Sequence, residues 1–358
     1  MILLSRSYLF SRLFEAAVMF LFLSLASENL TSALNLISVE TELAMGREAD
    51  KQISIQYGIY QDKVLQLYVN NIGQKLIAEL SDPVFPKYFF KVVDSSEINA
   101  FALPGGYVYI TRGILALLNS EAELAGVLGH EIGHIIYHHG AKQITRNIGA
   151  QILSLGGAIA SPKNAGKWLM VSSQLFQQVN LGYGREAELE SDAQGILNAY
   201  NAGYHPKNMV GFLRSLRRHE IMSGQAYHSF QATHPDTKER IIRAGTMGAS
   251  LIRRGKPVTD NRKVFLSHLK GMTYGGRRHA RDRVRSGKPM YIDIYEIQDG
   301  DTLKSIAEPP FIESRSIEIA IMNGLRHEEP LVPGQLLKIV HKGEYDFNRR
   351  LRLRPEVR

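Results

Sequence analysis

The chain contains no cysteine. Disulfides, thiolate zinc sites, iron–sulfur clusters, a cysteine nucleophile and a lipid anchor on an N-terminal cysteine are therefore excluded. Past its start it also lacks any apolar run long enough to span a bilayer, which takes roughly 20 residues. The best later candidate, residues 148–160, is broken by Gln151, Gly156 and Gly157. Tandem repeats are absent. With 44% hydrophobic and 22% charged residues, the composition is that of neither a disordered nor a collagen-like chain. A length of 358 residues leads us to expect more than one folded unit.

Acidic residues are scarce in one place only. Residues 253–288 hold twelve Lys and Arg against two acids, Asp260 and Asp282, while the whole chain has a net charge of +8. The basic excess is thus local, and it gives no ground for a nucleic-acid partner. At the start, Arg6 and Arg12 precede the apolar run 16–26, which closes on Ser24-Leu25-Ala26. This is the pattern of an export signal over residues 1–26, with an uncleaved anchor as the alternative.

Apolar positions from Leu43 to Leu80 recur at helical spacings, and Pro83 and Pro86 end them. Residues 89–93 and 106–111 read as strands, rich in aromatic and β-branched side chains. The segment Asn99-Ala100-Phe101-Ala102-Leu103-Pro104-Gly105-Gly106 between them is extended and closes in a turn. A helix is expected from about Ser120 to His138, opened by a Ser-x-x-Glu box of Ser120 and Glu123. Another is expected over residues 185–201, stopped by Gly203 and Pro206. The segment 154–166 reads as a loop.

Chemistry concentrates at His130-Glu131-Ile132-Gly133-His134. Residues four apart on a helix lie about 40° apart around its axis, so the two imidazoles can converge on one metal ion. Glu131 points about 100° away from His130, too far round to be a third ligand but within reach of a metal-bound water. A hydrolytic zinc needs three protein ligands and one open position. No further histidine motif follows, so the third ligand is expected from a carboxylate on the later helix. Glu188 and Asp192 share one face there. Glu188 is the candidate ligand, and Asp192 the group that hydrogen-bonds a ligand imidazole and fixes its tautomer. Glu186 and Glu190 fit a solvated face. His138 and His139 fit structural or solvent roles.

Three blocks in this order, the extended segment 99–106, the H-E-x-x-H at 130–134 and the run Arg185-Glu186-Ala187-Glu188-Leu189-Glu190-Ser191-Asp192, resemble the HtpX/BepA family of gluzincin metallopeptidases. The likeness covers about residues 40 to 250. It departs in Ser191, where alanine is usual, and it lacks the membrane spans of the HtpX branch. The resemblance implies one Zn2+ per chain on His130, His134 and Glu188, with Glu131 as general base. It further implies an edge strand at Asn99, Ala100, Phe101 and Ala102 that holds an extended substrate. The run from Thr233 to Arg240 is similar to a family segment downstream of the ligands. Its His234 is a candidate oxyanion donor or reversible fourth zinc ligand; the alternative is a loop histidine before a helix capped by Asp236 or Thr237.

Residues 295–307, 322–325 and 331–339 resemble the opening and close of a LysM module, with Thr302 as a helix N-cap. The resemblance implies a peptidoglycan ligand, against a purely docking role. Glu308-Pro309-Pro310-Phe311 departs from its spacing. The expected class is α+β: a mainly helical gluzincin core with a small sheet beside the active-site helix, plus a small βααβ LysM-like domain. The expected division is signal 1–26, metallopeptidase domain 27–252, basic linker 253–290, LysM-like domain 291–341 and basic tail 342–358. The expected function is a periplasmic zinc endopeptidase in protein quality control. Its substrates are unfolded or misassembled envelope proteins, and peripheral membrane contact is expected through the basic stretch. The alternatives are an envelope chaperone, assembly factor or peptidoglycan-binding protein with a latent zinc site, or a murein-acting metallohydrolase.

Overall fold

The structure, a computed structural model, describes residues 37–145, 182–223, 229–234, 238–276, 289–307, 312–326 and 329–345. The expected signal, the loop 154–166, the candidate caps Asp236 and Thr237, the insertion 308–311 and residues 346–358 of the tail lie outside the described residues.

The first helical stretch is two helices. Helix α1 (Val39–Gln56) starts at Ser38, whose Oγ accepts from the Thr41 N–H. Helix α2 (Lys63–Ile77) starts at Asp62, whose Oδ1 accepts from the N–H groups of Val64 and Leu65. Gly58, at a φ of 75°, turns the chain between them. Leu65, Val69, Ile72 and Leu76 line the buried stripe of α2, whereas Val64 and Leu67, counted among the apolar periodic positions, face solvent. A Cβ on Gly73 would stand 2.3 Å from the Phe90 ring, so a side chain there would push α2 off the sheet.

That sheet has the order β1-β3-β2. β1 (Phe89–Val93) runs parallel to β3 (Tyr107–Thr111), with Phe89 opposite Tyr107. β2 (Ala100–Leu103) is antiparallel to β3, with Ala102 opposite Val108. Gly105 and Gly106, at φ of 82° and 88°, make the turn between β2 and β3. A short α3 (Arg112–Leu117) leads to α4 (Glu121–Ile136), which is buried along almost its whole length and packs against β2. Ser120 Oγ accepts from the Glu123 N–H, but the Glu123 carboxylate accepts from Asn119 N rather than closing the box on Ser120. α4 ends where His138 takes a left-handed φ of 53°.

α5 (Arg185–Asn201) lies against α4 at close range. A Cβ on Gly133 would meet the backbone of Ser191 at 2.8 Å, and one on Gly195 would meet His130 N at 2.6 Å. Three glycines (Gly129, Gly133 and Gly195) let the two backbones approach, and this approach sets the histidines of one helix against the carboxylates of the other. Helices α6 (Asn208–Ser223), α7 (Ser229–Thr233) and α8 (Lys238–Ile252) follow.

The stretch expected as a linker is folded in its described part. It carries α9 (Arg262–Leu269) and β4 (Thr273–Tyr274), and it buries Phe265, Leu266 and Leu269 in the main core. β4 joins a second antiparallel sheet of order β4-β5-β6, formed with β5 (Met290–Glu296) and β6 (Leu336–Lys342). Between β5 and β6 lie α10 (Leu303–Ile306), capped by Thr302, and α11 (Ile312–Met322). This strand–helix–helix–strand unit has a small core of its own around Leu303, Ile319 and Leu337, while Ile292 and Met322 join the main core. Among the described residues no helix is long and apolar enough to cross a membrane.

Candidate metal centre

His130 and His134, one turn apart on α4, place their Nε2 atoms 3.1 Å from each other. Glu188 comes from α5, with Oε2 3.5 Å from His130 Nε2 and Oε1 3.5 Å from His134 Nε2. His234, just past α7, completes the group. Its Nδ1 lies 3.2 Å from His130 Nε2 and 3.1 Å from Glu188 Oε1. All four donor atoms fall within 4.8 Å of one another, and all four residues are buried.

A neutral imidazole offers one N–H and one lone pair. Asp192 Oδ1 stands 2.8 Å from His130 Nδ1 and accepts its N–H, so the lone pair of His130 is at Nε2, aimed into the cluster. A second ring nitrogen, a third and a carboxylate face the same point without solvent. Three imidazoles and one carboxylate at this spacing form a donor set that fits a zinc ion. Glu131 sits beside it. Both of its oxygens are buried without a hydrogen-bond partner, and Oε1 lies 3.5 Å from His234 Nε2, which is also unpartnered.

The electrostatics follow from burial and from these neighbours. Burial pushes the Glu131 carboxyl up, partly offset by His234 and His130. Burial, followed by the neighbouring histidines, holds the His134 imidazole well below its ordinary value. For Glu188 burial acts upward, but His234, His130 and Arg240 outweigh it and lower the carboxyl. His234 is the converse: burial acts downward, and Glu188 and Glu131 raise it. Asp192 is held well below the carboxylate range, because the Arg240 guanidinium and His130 overcome its burial.

The structure brings His130, Glu131, His134 and Glu188 together, places Asp192 behind His130, and sets His234 inside the cluster. Asn99 opens the edge strand. Its N–H donates to Thr111 Oγ1, its Oδ1 accepts from Thr233 Oγ1 at 3.5 Å, and its Nδ2 is buried without a partner. The Phe230 N–H donates to Ile98 O, so the chain entering β2 is tied to the short helix that carries His234. Ala100, Phe101 and Ala102 are buried, and Phe101 packs between Tyr57 and Tyr109. Apart from β3, no described strand pairs with β2, so only backbone groups remain on its free edge.

Three groups were missed. Arg240, fully buried, grips Asp192 through Nε and Nη2 at 2.7 and 2.8 Å, and its Nη1 lies 2.8 Å from Glu188 Oε2 and donates to the His234 carbonyl. It ends the Thr233–Arg240 run, which was the available signal. Tyr183 stacks on His134 with ring centroids 4.0 Å apart. His139, read as structural or solvent-facing, approaches His134 from behind. His138 instead pairs with buried Glu42 at 2.6 Å.

The sequence model of peptidase family M48 matches residues 64–247. The chain is similar to the beta-barrel assembly-enhancing protease of Escherichia coli (strain K12), 28% identical over 256 residues that cover 69% of this chain and 52% of that one. It is similar to the protein of the same name from Yersinia pestis, 30% identical over 193 residues, 52% of this chain and 40% of the other. It is also similar to the mitochondrial metalloendopeptidase OMA1 of Schizosaccharomyces pombe, 29% identical over 215 residues, 58% and 61% of the two chains. The chain thus spans about half the length of the assembly-enhancing proteases it matches.

Proposed function

The chain belongs to peptidase family M48, and from that premise we propose that it is a zinc-dependent endopeptidase of unfolded or misassembled envelope proteins, acting in the periplasm. The observation that carries this reading is the convergence of His130, His134 and Glu188 on one buried point, with the unpartnered carboxylate of Glu131 beside it. His130, His134 and Glu188 would hold the ion. Bound zinc supplies a Lewis acid that polarises a peptide carbonyl and acidifies water.

The chain's own residues do the rest. Glu131 accepts the proton of the attacking water and passes it to the leaving amine nitrogen. Asp192 holds the His130 proton on Nδ1, which keeps Nε2 free to ligate. His234 offers Nδ1 as a fourth donor at rest and yields that place to substrate, which makes the resting site latent. The unpaired edge of β2 holds an extended segment by strand addition, which selects unfolded chains. The envelope setting is supported by the relatives named for beta-barrel assembly and by the export signal expected at residues 1–26.

We further propose the division 27–252 for the peptidase domain and 291–341 for a LysM-like module. Its strand–helix–helix–strand order and the antiparallel β5–β6 pair support that. Peptidoglycan is the ligand such a module would take, and the basic stretch 253–288 would contact anionic surfaces. A docking role for the module is favoured by one observation, the insertion of Lys338 into the carbonyl end of α3. The deciding experiment compares wild type with Glu131→Gln on an unfolded protein such as casein, with zinc content measured on both. The expected result is equal zinc and a loss of cleavage of at least about 100-fold. Equal cleavage by the two, or purified protein without zinc, overturns the reading. Release of soluble muropeptides without protein cleavage would point to a murein hydrolase instead.

A further inference from the structure

The two ligand imidazoles are supported differently. His130 rests directly on a buried carboxylate, Asp192. His134 does not. Its Nε2 is committed to the donor cluster, so its ring proton belongs on Nδ1. That atom lies 3.0 Å from His139 Nδ1. Two ring nitrogens at this distance need one hydrogen and one lone pair between them. The His134 N–H therefore donates, and His139 Nδ1 accepts. This leaves the His139 proton on Nε2, which stands 3.1 Å from Glu190 Oε2. Ser191 Oγ is a more distant neighbour of His139 Nδ1, at 3.4 Å. The His139 ring is itself fixed, nearly parallel to Tyr137 and tilted against Tyr183. The chain of bonds runs from a sealed site to the surface, because the Glu190 side chain is 54% exposed.

We propose that His139 and Glu190 form a positioning relay for His134, His134 Nδ1–H to His139 Nδ1 and His139 Nε2–H to Glu190, which fixes the tautomer and raises the donor strength of that zinc ligand. The relay rests on the reading of His134 as a ligand. Neither residue belongs to the donor cluster or to the β2 edge. The sequence places Glu190 on a solvated face, and an exposed carboxylate with only that role acts on a metal through screened charge alone, which salt suppresses.

The test uses the full chain and zinc alone, with affinity measured by competition against a chromogenic chelator and ligand-field strength by the visible spectrum of the cobalt-substituted protein. His139→Phe keeps the ring between its aromatic neighbours and removes the acceptor. It is expected to weaken zinc binding about 10- to 100-fold. Glu190→Ala, a surface change that leaves the fold intact, is expected to weaken it by a smaller factor and to shift the cobalt spectrum in the same direction. Glu190→Gln, which keeps an oxygen acceptor, recovers part of that loss. The double variant is expected to bind no more weakly than His139→Phe alone, because the carboxylate acts only through the imidazole. Zinc affinity in Glu190→Ala equal to wild type overturns the relay, as do losses that multiply in the double variant. His134→Ala separates the two readings. If it abolishes zinc binding while the His139 and Glu190 variants are silent, the relay alone fails. If it binds zinc like wild type, the metal centre fails and the relay with it.

Discussion

Arg240 extends its guanidinium into a space closed to solvent, donates its N–H groups to Asp192 and the carbonyl of His234, and pairs its charge with Glu188 at 2.8 Å. One side chain thus locks the group behind His130, the carboxylate of the cluster and the loop that brings the third imidazole. Removing it would leave two buried carboxylates facing each other without a cation. Arg240→Ala is therefore expected to lower stability by about 3–5 kcal/mol in urea unfolding. Arg240→Lys, which cannot form the planar fork, is expected to keep much of the stability and lose zinc affinity. An unfolding midpoint of Arg240→Ala equal to wild type would remove the role. The same residue shows where sequence reading stops. His130 with His134, and Glu188 with Asp192, are each a pair at one-turn spacing, so helical periodicity alone sets them side by side. Arg240 comes from a helix 48 positions beyond Asp192, and no spacing rule connects them. His139 was hidden for a related reason: the helix ends at His138, and the changed backbone direction there swings the next ring back onto His134.

At the scale of elements, the site depends on how closely α4 and α5 run. Gly195→Ala would place a methyl group 2.6 Å from His130 N and 2.8 Å from the Gly129 carbonyl carbon, both of them backbone atoms that cannot swing aside. The helices must separate, which is expected to cost about 1–3 kcal/mol and to weaken zinc binding, since the two ligand sets sit on the separating faces. Gly184→Ser is the control. It lies at the N-cap of α5 with no neighbour within 4 Å and no side-chain cap, so it is expected to be neutral or stabilising by a few tenths of a kcal/mol. Equal stability of Gly195→Ala and wild type would show that the close approach is not limiting. Most of these elements were readable. The span of α5 and the strand β1 follow from composition and stop signals. The break between α1 and α2 was not, because Tyr57 and Ile59 continue the apolar pattern across a turn made by Gly58 and capped by Asp62. Nor was α9, where Phe265, Leu266 and Leu269 stand among Arg, Lys and His, and the local charge outweighs three apolar residues in any window average.

At the scale of the whole molecule, the C-terminal unit is fastened to the start of the helix that carries His130 and His134. Lys338 on β6 donates through Nζ to the carbonyls of Ala116 and Leu118. Arg262 on α9 bridges Asn119 O and Leu336 O. The Glu123 carboxylate, in the first turn of α4, accepts from Asn119 N at 2.7 Å. Burial pushes Glu123 up to about 7, against the downward pull of that N–H, Lys338 and Arg262, while burial and Arg262 hold the Lys338 ammonium well below its ordinary value. Between the ordinary glutamate value of 4.5 and about 7, the folded chain therefore binds more protons at Glu123 than the unfolded chain. Stability from this carboxyl is complete below the lower value and is lost as pH rises to the upper one. Lys338 has the opposite slope, its contribution being lost as pH falls, so the wild-type curve alone mixes the two. The difference between wild type and Glu123→Gln isolates the carboxyl. It is expected to move against wild type by about 2–3 kcal/mol between pH 4.5 and 7.5 in urea unfolding, and to be flat above that. A difference that does not change with pH would mean that Glu123 stays ionised throughout, and that the junction of the C-terminal unit with the helix of His130 and His134 is a fixed ion cluster and not a proton-linked one.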